Sequence, residues 1–122
     1  MLPDPSAATV AIQAWLPAGS SAEGQDEEGL AHFLEHMIFK GSRRLGVGEL
    51  AARVEASGGD INAYTMSDST YYHLICLPET LDSCLADLAE ALWWPRFEEV
   101  EIERERGVVL AEIDRAMDQP DQ

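Results

Sequence analysis

The chain divides into short apolar runs that suit strands and longer stretches whose apolar residues recur at helical spacing. After a Pro-rich start, Ala8 to Leu16 reads as a strand, and a loop of Gly, Ser and acidic residues runs from Pro17 to Glu28. Leu30, Phe33, Leu34, Met37 and Ile38 then fall at i, i+3, i+4, i+7 and i+8, the stripe of an amphipathic helix. Asp26 suits its N-cap, Glu27 and Glu28 its first turn, Lys40 its last turn and Gly41 its end. A second helix is expected over Gly48 to Ser57, with Leu50, Ala51 and Val54 at helical spacing and Gly58-Gly59 as its stop. Asp60 to Met66 and Thr70 to Leu77 are expected to form an antiparallel hairpin through Ser67-Asp68-Ser69. Pro78 to Leu92 reads as a helix with Leu81, Leu85, Leu88 and Leu92 as its stripe, closed by Trp93-Trp94-Pro95. A long charged helix from Glu98 to about Met117 follows, with Ile102, Val109, Ile113 and Ala116 on one face. The order β-α-α-β-β-α-α predicts an α+β fold, helices packed on a mostly antiparallel sheet.

Composition narrows the partners. The 122 residues, 46% of them hydrophobic, suffice for one domain with a modest core. Eight Lys and Arg stand against 23 Asp and Glu, a formal charge of −15, so neither nucleic acid nor an anionic membrane is an expected partner. No apolar run approaches the ~20 residues of a membrane span. No basic region followed by a hydrophobic stretch opens the chain, and cytoplasm and periplasm are both left open. Cys76 and Cys84 sit in apolar runs and read as buried small hydrophobes rather than a disulfide.

The chemistry concentrates in His32-Phe33-Leu34-Glu35-His36, which holds two of the three histidines in the chain. At roughly 100° per residue, His32, Glu35 and His36 share the side of the helix opposite the apolar stripe. Histidines four apart can direct ring nitrogens at one ion, and tetrahedral zinc, at about 2.0–2.1 Å from nitrogen, tolerates that spacing. Glu35 then sits beside the ion without having to bind it, placed to take a proton from water. The bland alternative is a helix carrying two solvated histidines and a glutamate.

A hydrolytic zinc site needs a third protein ligand. His73 lies in a strand beside aromatic residues, where a hydrogen-bonded core or surface histidine is the better reading. Glu105 and Glu112 are seven residues apart on the last helix and share a face to within about 20°. Physical reasoning alone does not choose these two from the eight acids between Glu98 and Asp118.

Three blocks together add what spacing cannot: the pentapeptide above, Gly58-Gly59-Asp60-Ile61-Asn62-Ala63-Tyr64-Thr65, and Glu105-Arg106-Gly107-Val108-Val109-Leu110-Ala111-Glu112-Ile113. They resemble the signature blocks of the pitrilysin or insulinase family, the zinc peptidases with an inverted motif. The resemblance implies a zinc endopeptidase in which His32, His36 and Glu112 bind Zn2+, Glu35 is the catalytic base and Glu105 orients the site. It also implies that Asn62, Ala63 and Tyr64 lie on an edge strand that receives an extended peptide. Members of that family are built from several such domains, so residues 1–122 are expected to be an N-terminal zinc-binding domain, incomplete at both ends. The remaining domains of the same chain, or a partner subunit, would complete the cleft. A non-catalytic subunit that binds metal or partners without turnover is the competing expectation.

Overall fold

A computed structural model describes residues 4–119. The elements are β1 (Val10–Leu16), α1 (Leu30–Ile38), α2 (Glu49–Ala56), β2 (Asp60–Thr65), β3 (Thr70–Cys76), α3 (Leu81–Trp93) and α4 (Glu99–Asp118), in the expected order. Single 3-10 turns occupy Ser20–Ala22 and Pro78–Thr80. The three strands form one antiparallel sheet in the order β1-β3-β2. The loop between β2 and β3 takes in Met66, whose backbone N–H donates to the Ser69 carbonyl at 2.7 Å.

Strand alternation sorts the sheet into two faces. Thr70, Tyr72, Leu74 and Cys76 of β3 are buried, and the register sets Leu74 between Ile12 and Ile61, and Tyr72 between Ala14 and Ala63. Against this face pack Ile38, Leu45, Leu50, Val54, Cys84, Leu88 and Ala91, making one core between the sheet and the helices. Fully burying a side chain such as Leu74 stabilises the fold by about 1.5–3 kcal/mol. The other face is open: Trp15 stacks on Tyr71 with ring centroids 4.2 Å apart, and Tyr71 on Tyr64 at 5.1 Å. His73 belongs to that face and is hydrogen-bonded to Gln13 at 3.0 Å. Both cysteines are free and buried.

Three expectations about faces and ends need correction. On α3, Leu85 is 48% exposed while Cys84 is 3% exposed, and the buried line runs Cys84, Leu88, Ala91. Small residues let the helix approach the core closely, and a count of leucines overlooks them. On α4, Ala116 is exposed and the buried side chains are Glu101, Glu105 and Val109. Asp26 does not cap α1; Gly29 occupies the cap position and Glu23 supplies the carboxylate. Among the described residues, no helix is long and apolar enough to cross a membrane.

Candidate metal centre

Helix α1 is anchored at its start by a residue of the loop before it, Glu23. Gly29 holds φ at 87°, a left-handed conformation that side chains rarely adopt. Beside it the Glu23 carboxylate accepts from the backbone N–H of Gly29 at 3.0 Å and of Ala31 at 2.8 Å. Free donors at the helix start are thereby satisfied, and a negative charge meets the positive end of the helix dipole. Met37 and Ile38 are buried on the opposite flank, which turns His32, Glu35 and His36 toward α4 and β2.

Helix α4 lies against α1 and brings two carboxylates to opposite sides of the His36 ring. Glu112 Oε2 is 3.4 Å from His32 Nε2 and 3.5 Å from His36 Nε2, while the two Nε2 atoms are 3.1 Å apart. One turn-pair earlier, Glu105 Oε2 is 2.9 Å from His36 Nδ1. A carboxylate can only accept, so Nδ1 carries the proton and Nε2 of a neutral ring presents its lone pair toward Glu112. The second Glu105 oxygen, Oε1, is 2.9 Å from Lys40 Nζ. Burial pushes the Glu105 carboxyl up, but the hydrogen bonds and charges of Lys40 and His36 outweigh it and hold the group below the ordinary carboxylate range.

The chemistry of this donor set fits zinc. Two imidazole nitrogens and a carboxylate oxygen form a triangle with sides of 3.1, 3.4 and 3.5 Å. Tetrahedral ligands about 2.0–2.1 Å from one ion lie about 3.3 Å apart. His32, His36 and Glu112 are the one such group among the described residues.

Glu35 points to the other neighbour, β2. Its Oε2 accepts a hydrogen bond from the Thr65 hydroxyl. Thr65 shares the inward face of the strand with Ile61 and Ala63, whereas Asp60, Asn62 and Tyr64 face out. An open pocket of about 450 Å³, lined by Ser20, His32, Glu35, Ala63, Tyr64 and Thr65, lies between helix and strand. Burial, and then the nearby Glu35 carboxylate, push the Tyr72 hydroxyl well above its ordinary range, so it is a neutral group beside the site. Of the three residues expected to meet a peptide, Ala63 alone turns its side chain inward. Asn62 donates to Asp60 at 3.2 Å and Tyr64 stacks on Tyr71. All three lie on an edge strand, since β2 pairs only with β3 among the described residues.

Sequence reasoning missed Thr65 and the link from Lys40 to Glu105. Alternation from Ile61 puts Thr65 on the inward face, but only packing shows that Glu35 is what it meets there.

A sequence model of the insulinase family (peptidase family M16) matches residues 1–122. The chain is 42% identical over 117 residues to a probable mitochondrial-processing peptidase subunit beta of Arabidopsis thaliana, covering 96% of this chain and 22% of that protein. It is 41% identical over 113 residues to an uncharacterised zinc protease of Rickettsia bellii, covering 93% of this chain and 27% of that protein. The crystal structure of pitrilysin superposes with a TM-score of 0.85 at 33% identity, over 93% of this chain and 12% of that chain. The chain thus spans about a quarter of the length of the curated relatives it matches.

Proposed function

The chain belongs to the insulinase family, peptidase family M16, and on that premise we propose that it carries the zinc-holding half of an endopeptidase site for extended peptides. The observation that supports the reading most is the triangle of His32, His36 and Glu112, whose 3.1–3.5 Å sides match the edges of a tetrahedral zinc site. When bound, zinc supplies Lewis acidity, which makes water a usable nucleophile near neutral pH and polarises a peptide carbonyl.

The residues of this chain do the rest of the local work. His36 is held by Glu105 with its Nε2 lone pair toward the ion position. Glu35 takes the proton of the attacking water and later delivers it to the leaving amine. The Thr65 hydroxyl occupies one Glu35 oxygen and leaves the other for that water. Asn62, Ala63 and Tyr64 offer the main chain of an edge strand, on which a substrate adds as a further strand. Groups that close the cleft over the substrate come from further domains of the same protein or from a partner subunit, in line with the quarter of its relatives that the chain spans.

The experiment is Glu35→Gln in the full-length protein, with bound zinc and cleavage of unstructured peptides measured together. Glu35 is not one of the three ligands, so zinc should be retained while turnover falls by roughly 10²–10⁴-fold. A wild-type protein that holds zinc yet cleaves no peptide in a broad library would favour the non-catalytic, partner-binding reading.

A further inference from the structure

Lys40 stands apart from the other described cations. Arg96, Arg104 and Arg106 pair with carboxylates two or three residues away, the half-exposed Arg53 reaches Asp87, and Arg43 joins Glu90 while stacking on Trp94. Lys40 instead reaches across from the end of α1 to Glu105, a carboxylate only 5% exposed and 65 residues away. It follows His36 by four residues, as His36 follows His32, and lies two residues past the end of α1, where its N–H closes a turn on the Met37 carbonyl at 3.0 Å. His32 and His36 on α1, and Lys40 just beyond its end, are thus all within reach of carboxylates on α4.

We propose that Lys40 is a positioning residue of the metal centre: by occupying Oε1 of Glu105 it fixes that carboxylate so that Oε2 holds His36 in its ion-facing orientation. This rests on the zinc reading above. A nearly buried carboxylate with two oxygens and one partner has a choice of rotamers, and any rotation moves Oε2 away from His36 Nδ1. With an ammonium at 2.9 Å on one oxygen and an imidazole N–H at 2.9 Å on the other, both ends are pinned. Lys40 does not bind the ion itself, because an ammonium carries three donors and no lone pair to give a metal, and its favourable effect runs through Glu105.

The test is zinc affinity, measured by competition against a chromophoric chelator, in the full-length protein and its Lys40→Met, Glu105→Gln and doubly substituted variants. Lys40→Met should weaken zinc about tenfold, the lower end of what losing an outer partner of a ligand costs. Lys40→Arg should recover most of that loss. In the Glu105→Gln background, Lys40→Met should cost little more, since the route it acts through is already broken. A Lys40→Met protein that binds zinc like the wild type, or one whose loss is undiminished in the Glu105→Gln background, overturns the proposal.

A second readout needs no metal. In protein labelled with ¹⁵N-histidine and stripped of zinc, His36 should carry its proton on Nδ1, and Lys40→Met should shift the population toward Nε2–H. An unchanged tautomer in Lys40→Met overturns the proposal even if the wild type holds no zinc, an outcome that would itself overturn the peptidase reading.

Discussion

Glu105→Gln nearly preserves shape and removes one property, the ability to accept at both ends. In the wild type, Oε2 accepts from His36 Nδ1 and Oε1 from Lys40 Nζ, each at 2.9 Å. An amide has one oxygen and one NH₂, which leaves two orientations. If the oxygen faces His36, the NH₂ abuts the Lys40 ammonium, donor against donor. If the oxygen faces Lys40, the NH₂ meets Nδ1, which can accept only after its proton moves to Nε2. That is the atom 3.1 Å from His32 Nε2 and 3.5 Å from Glu112 Oε2, and protonation removes its lone pair from the ion. Either route weakens zinc by roughly 10–100-fold, or about 1.4–2.7 kcal/mol. Chelator competition at matched pH measures it, with Glu112→Gln alongside as the loss of a ligand and a far larger effect. Wild-type affinity in Glu105→Gln would show that Glu105 does not orient His36. Equal severity in the two variants would mean that ligand and supporter are exchanged.

Thr65→Val, which keeps the shape of the side chain and deletes its donor, should lower kcat by roughly tenfold with zinc content unchanged; steady-state kinetics beside metal analysis reads both, and an unaltered kcat argues against the hydroxyl's role. Gly59→Ala should destabilise by about 1–3 kcal/mol in urea denaturation, because an added Cβ would sit 2.4 Å from the Ile75 carbonyl oxygen and 3.1 Å from a Val54 methyl; an unchanged midpoint contradicts that close approach. Glu105 is held below its ordinary pKa of 4.5, so in the metal-free protein its contribution to stability is present above about pH 4.5 and is lost as pH falls through the lower folded value. Glu105→Gln should flatten that part of the acid limb in chemical denaturation across pH, and an identical limb in both proteins would show that Glu105 makes no such contribution.

What the sequence made legible follows from range. The pairing of His32 and His36 is a matter of helical spacing, and so was readable from five residues. The hairpin of β2 and β3 was readable for the same reason, save that Met66 left the strand for the turn. The choice of Glu112 came from family resemblance, because seven acids on one helix offer no local ground for preferring one. Capping of α1 was misread because the carboxylate comes from Glu23, across a loop, and not from Asp26. Burial of Glu101 and Glu105 runs against the usual solvated fate of charge on a long helix. Glu105 is explained by Lys40 and His36, and Glu101 by Arg104 at 2.8 Å. The role of Thr65 depends on which helix faces its strand, a tertiary fact with no local signature.

Whether His32, His36 and Glu112 hold one zinc ion is read from X-ray absorption at the zinc edge of the loaded protein. The expected result is about one zinc per chain with nitrogen and oxygen neighbours near 2.0–2.1 Å, two of them imidazoles, and almost complete loss of metal in His36→Ala. A sulfur neighbour at about 2.3 Å would instead implicate Cys76 or Cys84, and that result, or equal zinc in wild type and His36→Ala, would contradict it.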